Sequence, residues 1–273
     1  MNFNLPDGSF LYYEVQGNPE AAITLVFLNG LSQSTLSWAG IAPSFYKEHR
    51  VILLDLVFQG QSGTAEKFRS YDEHAADVFS LLKQEGASTG SGKKIILCGI
   101  SYGSAVAQHA LANHPDFFAG GILLSTFAHN TALFNAIGES WISALQAGGY
   151  PLMLDIMLPV VLGKSYFEKP LIPIQTLKEA RIGRDLSADS LLKLMKATDE
   201  RGDYRGQLKK IKAPVIVVQG EEDILIPPAI AKEVAAEIPG AEFTVIEKAG
   251  HTLNLEAIPQ TISIIRKFVE KLS

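Results

Sequence analysis

Cysteine is nearly absent from this chain. Cys98 stands alone among 273 residues, so no internal disulfide can form and the fold must be held by packing. A lone cysteine also suits a reducing compartment. Long hydrophobic runs are missing too, since no stretch of about 18 apolar residues occurs. The nearest approach, residues 150–163, is interrupted by Pro151, Asp155 and Pro159. The first eight residues have neither a basic start nor an apolar centre, so they do not read as a signal peptide. A cytoplasmic protein without a membrane span is expected. Positive charge is in short supply: the formal net charge is −5, which argues against nucleic acid as a partner. The six histidines and Cys98 are scattered without ligand spacing, so no metal is expected. What the chain does have is apolar substance, 47% hydrophobic against 19% charged residues. That is the composition of a packed globular protein, long enough for one large α/β domain or a core with an insertion.

The apolar residues fall into short continuous runs at 23–28, 51–54, 94–98, 121–124 and 215–218, with a further run at 242–246. Such runs read as strands buried on both faces of a parallel sheet. Residues 9–15 follow a Pro-Asp-Gly turn, and an antiparallel hairpin is expected at the start of the chain. Between the runs, residues 71–84, 102–113, 229–238 and 258–272 carry helical spacing. Strands alternating with helices predict an α/β fold with a mostly parallel central sheet and helices on both faces. The alternation fails between residues 129 and 207, where the pattern is helical only. The division expected is a core from 1–128, a helical cap over 129–207, and the rest of the core over 208–273.

Gly-x-Ser-x-Gly occurs twice, at Gly99-Ile100-Ser101-Tyr102-Gly103 and at Gly86-Ala87-Ser88-Thr89-Gly90. Context separates the copies. A strained strand-to-helix turn exposes the serine hydroxyl and aims a helix amino terminus at it. The run 94–98 supplies the strand before Ser101 and residues 104–110 supply the helix. Ser88 sits in a loop of small residues with neither. Ser101 is the expected nucleophile, against the plainer reading of a helix N-cap.

A serine hydroxyl needs a base to take its proton. His251 lies between the last predicted strand and the last helix, on the edge where α/β sheets bind ligands. His129 is its rival, while His49, His74, His109 and His114 sit on or beside helices as structural residues. Asp223, following the run 215–218 and 28 positions before His251, is the expected partner that fixes the imidazole tautomer. Glu221 and Glu222 compete with it, and Asp55 reads as a residue that orders its own loop. Two backbone N–H groups should hold an oxyanion, those of Tyr102 and Leu31. Asn29 and Gly30 are candidates for the site wall.

Together these residues resemble the α/β-hydrolase superfamily over the whole chain, in its serine-nucleophile branch with a helical cap. Their order, Ser101, Asp223, His251, is the order that fold uses. The segment Asp55-Leu56-Val57-Phe58-Gln59-Gly60-Gln61-Ser62 is similar to the Asp-x-x-x-x-Gly-x-Ser loop common in that superfamily. Asn29-Gly30 stands where most members carry His-Gly. With the 55–62 loop and Leu162-Gly163-Lys164, that departure resembles the rhamnolipid-precursor synthases and the 3-hydroxyacyl carrier-protein transacylases. Those proteins tend to have Ser-Trp-Gly-Gly where this chain has Ser101-Tyr102-Gly103-Ser104, and the His-x-x-x-x-Asp motif discussed for acyltransferases is absent here.

The function expected is hydrolysis of a small carboxylic ester or thioester through an acyl-enzyme, which requires no cofactor. Transfer of a hydroxyacyl group from CoA or an acyl carrier protein to a hydroxyl or thiol is the second reading, and a non-catalytic receptor is the third. Residues 164–212 carry 12 Lys and Arg against 7 Asp and Glu. That basic excess reads as a solvated helix surface or as a docking face for CoA or an acidic carrier protein. The apolar residues of 134–163 either pack the cap onto the core or enclose an acyl chain.

Overall fold

Alternate residues of the central strands point to opposite faces, and both faces are covered. The computed structural model describes residues 1–86, 92–182 and 187–273. The second Gly-x-Ser-x-Gly copy, with Ser88, lies outside the described residues. Eight strands form one sheet in the order β1-β2-β4-β3-β5-β6-β7-β8. They are β1 (Asn2–Asn4), β2 (Phe10–Gly17), β3 (Ile23–Leu28), β4 (Arg50–Leu54), β5 (Lys94–Ile100), β6 (Gly120–Leu124), β7 (Val215–Gly220) and β8 (Glu242–Ile246). β1 and β2 are antiparallel, as the turn chemistry predicts, and β4 through β8 with β3 run parallel.

On one face Val26, Leu28, Ile52, Leu54 and Leu97 pack against α1 (Tyr71–Gln84), α2 (Tyr102–Asn113) and α8 (Pro228–Glu237). On the other, Leu25, Phe27, Leu53, Ile96 and Cys98 meet Trp38, Ile41 and Phe45 from two short 3₁₀ turns. The helices α9 (Leu253–Glu256) and α10 (Ile258–Lys271) complete that second layer, through Leu253, Ile265, Phe268 and Val269. α1 begins on a capping box in which Ser70 and Glu73 satisfy each other's backbone N–H groups, so its start is set by local chemistry.

Between β6 and β7 the described chain is helical: α3 (Ala132–Val161), α4 (Lys164–Glu168), α5 (Ile174–Ile182), α6 (Ala188–Glu200) and α7 (Arg205–Leu208). α3 is long and apolar enough to cross a membrane by length and composition, with 44% of its most apolar window buried inside the protein. It is two helices joined at a kink. Gly149 has φ 68 and ψ −167, a conformation that glycine alone adopts without strain, and Pro151 follows it. The inner side of α3, including Leu145, Met153, Leu154 and Leu158, joins the core beneath it, so most of its apolar residues serve packing.

Candidate active site

Ser101 stands at the carboxyl end of β5, in the middle of the sheet, and α2 begins at the next residue. Its backbone has φ 52 and ψ −114, a region rarely occupied by a residue with a Cβ and held only when the surroundings over-determine it. The surroundings do so here. A Cβ on Gly99 would strike the carbonyl of Gly103, and one on Gly103 would come within 2.5 Å of the Leu28 carbonyl. Only glycines let β3, β5 and α2 approach this closely. The Ser101 backbone N–H is tied to Leu124 O at 2.9 Å, but its side chain makes no capping hydrogen bond. The hydroxyl sits where an N-cap would sit and is not used as one.

His251 lies in the loop between β8 and α9, and Asp223 in the loop after β7. The imidazole and the carboxylate meet: His251 Nδ1 is 2.7 Å from Asp223 Oδ2. Asp223 is buried and also accepts from Gln219 Nε2 at 2.6 Å and from Ile226 N at 2.8 Å. A carboxylate with that many donors holds one orientation, so the imidazole carries its proton on Nδ1 and presents Nε2 as the acceptor. The His251 backbone is pinned as well, its N–H to Val161 O at 3.0 Å and its carbonyl by the Ser125 hydroxyl at 2.7 Å. Ser101 and His251 line one pocket. The rivals lie elsewhere. His129 has Glu233 at 3.9 Å as its nearest carboxylate, Glu222 accepts from the backbone and hydroxyl of Ser165, and Glu221 accepts from Lys248 N.

The Leu31 and Tyr102 N–H groups have no acceptor among the described residues. Gly30 and Leu31 line the pocket, whereas Asn29 is fully buried and belongs to the framework behind it. Its carboxamide donates to Leu54 O and Asp55 Oδ1 and accepts from the Trp38 indole. Asp55 in turn accepts from the backbone N–H groups of Thr35 and Gln61, each at 2.8 Å. It orders its loop and the 31–35 loop beside it. Gln59 closes the arrangement by donating to Gly30 O at 2.8 Å.

The remaining wall comes from Ser32, Gln33, Ile100 and Leu225, and from Trp141, Met157, Val161 and Arg181 of α3 and α5. The pocket holds about 50 Å³ of free space. Three residues of this region carry no motif in the sequence. Trp141 and Arg181 reach the pocket only through tertiary packing. Glu256 accepts four hydrogen bonds, from Gly163 N, Gly250 N, Thr252 N and the Thr252 hydroxyl, which ties the His251 loop to the end of α3. A glutamate four residues after a threonine in a helix start would have been the only local hint. The basic excess of residues 164–212 is partly spent in pairs, Lys178 with Asp155, Lys193 with Asp189 and Arg205 with Asp203 and Glu233.

Residues 19–257 match the family described as Hydrolase_4, serine aminopeptidase S33. The uncharacterized hydrolase YugF of Bacillus subtilis is 27% identical, over 94% of this chain and 93% of its own length. The pimeloyl-[acyl-carrier protein] methyl ester esterase of Neisseria meningitidis serogroup C is 26% identical, over 94% of this chain and 97% of its own. Among solved structures, MGS-M2, an α/β hydrolase enzyme from a Medee basin deep-sea metagenome library, superposes with a TM-score of 0.90 at 24% identity. That alignment covers 99% of this chain and 97% of the other. The chain therefore belongs to the serine aminopeptidase S33 family, Hydrolase_4, and is an enzyme of the α/β-hydrolase fold.

Proposed function

We propose that this enzyme cleaves a small carboxylic ester or thioester through an acyl-enzyme on Ser101. The observation that carries the reading is an uncapped, strained serine sharing a pocket with a histidine whose far nitrogen is held by a buried aspartate. Ser101 Oγ attacks the carbonyl carbon while His251 Nε2 takes the hydroxyl proton. Asp223 keeps the Nδ1 proton in place and stabilises the imidazolium as it forms. The carbonyl oxygen becomes an oxyanion, held by the N–H groups of Leu31 and Tyr102. As the intermediate collapses, the bond to the leaving alcohol or thiol breaks and His251 returns the proton to it. Water then attacks the acyl-enzyme by the same steps and releases the acid. The helices of residues 129–207 act as the cap over this site and leave room for a short acyl group.

Intact-protein mass spectrometry after treatment with a fluorophosphonate tests the reading. One adduct is expected on the native enzyme and none on Ser101→Ala, whose kcat/KM on 4-nitrophenyl butanoate should fall on the order of 10⁴-fold. Equal labelling of both proteins overturns the assignment. Product analysis with an added hydroxyl or thiol acceptor distinguishes transfer from hydrolysis, and the free acid is the product expected.

A further inference from the structure

Five of the six described arginines have a partner in the fold. Arg50 pairs with Glu85, Arg69 with Asp7 and Asp77, Arg205 with Asp203 and Glu233, and Arg266 with Glu48. Arg201 is bonded to Gln108, His109 and Phe127 O. Arg181 is the exception, with neither carboxylate nor carbonyl partner among the described residues. It is half-buried, on the last turn of α5, and its side chain forms part of the wall of the pocket that holds Ser101 and His251. The same side chain, with Ser32 and Gln33, also borders an adjoining groove of about 290 Å³. The described walls of both spaces contain no Asp or Glu, and Arg181 is their one permanent charge. A second donor is unmatched in the same pocket: the Trp141 indole N–H is buried without an acceptor among the described residues.

Resting on the esterase reading above, we propose that Arg181, assisted by Trp141, binds a carboxylate carried by the substrate itself. The free space beside Ser101 accepts only a few carbon atoms, so a substrate group lying just beyond them meets the guanidinium in the wall that the pocket shares with the groove. A guanidinium in an apolar wall, short of acceptors, binds a carboxylate by two parallel charge-assisted hydrogen bonds and binds a neutral chain poorly. The carboxylate belongs to the acyl chain or to the leaving alcohol, and both present the same group to Arg181.

The test compares matched esters that differ only in charge. On the acyl side these are 4-nitrophenyl hemiglutarate, corrected for spontaneous hydrolysis, and its methyl ester. On the alcohol side they are 4-(butanoyloxy)benzoate and its methyl ester. Native enzyme should prefer the anionic member of one pair by about tenfold or more in kcat/KM. Arg181→Gln should abolish that preference, chiefly through KM, and Arg181→Lys should retain part of it. Arg181→Glu should shift preference toward an ester bearing an ammonium group, an outcome that mere loss of structure cannot produce. Trp141→Phe should reduce the anionic preference by a smaller factor. Active enzyme with equal rates within both pairs, or a preference that survives Arg181→Gln, overturns the inference and leaves the esterase reading intact. No turnover of any ester, with no adduct on Ser101, removes the esterase reading and this inference with it.

Discussion

Four hydrogen bonds converge on the Glu256 carboxylate, and the residues that donate them flank His251 on one side and close α3 on the other. Glu256 touches neither Ser101 nor the His251 ring; it is a positioning residue for His251, the proposed base. Hydrogen bonds to a charged acceptor contribute about 1.5–3 kcal/mol each, and losing the acceptor leaves several N–H groups unpaired. Glu256→Gln keeps the shape but has only one acceptor oxygen. It is expected to lower kcat on a neutral 4-nitrophenyl ester by about tenfold with little change in KM, because the base is displaced and the pocket wall is not. Fluorophosphonate labelling of Ser101 should slow in parallel. Unchanged labelling would mean that the Asp223 contact alone orients His251. The proposed triad of Ser101, His251 and Asp223 can be read from the sequence because a motif, its strand-and-helix setting and their chain order converge on it. Glu256, Arg181 and Trp141 cannot, since their partners lie far away along the chain and no local pattern marks them.

At the level of elements, the helices of residues 129–207 are tied to α2 by an arginine, beside the buried Tyr204 ring stacked on His109. Arg201, at the end of α6, donates from Nε to His109 Nε2 at 3.1 Å, and from its two amino groups to Gln108 Oε1 at 2.6 Å and Phe127 O at 2.8 Å. Tyr71, Phe127 and Tyr204 surround its guanidinium at 5.0, 5.5 and 4.8 Å, and burial pulls its pKa down to about 10. Arg201→Met would strand Gln108, His109 and a backbone carbonyl of the core. A loss of about 3 kcal/mol in urea unfolding is expected. Arg201→Lys should recover only part of it, because an ammonium cannot reach three acceptors in one plane. A change below about 1 kcal/mol in the Met variant would show that the ring packing holds α6 without the charge. The elements themselves were readable where burial on two faces forces continuous apolar runs: β3 and β8 begin and end where the sequence places them. β5 runs two residues further, through Gly99 and Ile100, because glycines at the elbow hide the end of a strand. The α3 kink at Gly148 and Gly149 has only those glycines and Pro151 to mark it within a stretch whose spacing is otherwise helical.

The stability of the whole molecule should depend on pH through buried groups that the fold holds in one protonation state. His74 is fully buried with neither ring nitrogen hydrogen-bonded among the described residues, and burial, with Arg69 nearby, lowers its pKa to about 3. Burial and Arg201, whose Nε donates to Nε2, lower His109 to about 4 against the opposing pull of the Asp72 carboxylate 2.7 Å from Nδ1. His49 and His114 are lowered as well, chiefly by burial. Asp77 opposes them: burial lifts its carboxyl to about 7, although Arg69 lies 3.1 Å away. Asp55 and Asp199 are raised in the same sense. Between pH 4.5 and 6 the unfolded chain protonates His74, whose ordinary pKa is about 6.5, and the native protein does not. Stability from this group is complete above about pH 6.5 and is lost as the pH falls. For Asp77 the native protein holds the extra proton, so its contribution is lost as the pH rises from about 4 to 7. Each proton of difference is worth about 1.4 kcal/mol per pH unit. Urea unfolding of the native protein, His74→Leu and Asp77→Asn across pH 4.5 to 6 separates the two. His74→Leu should reduce the loss of stability on acidification by about one proton, and Asp77→Asn should steepen it by about the same amount. Parallel curves for the three proteins would mean that water reaches these groups in the folded state and that burial does not fix their charge.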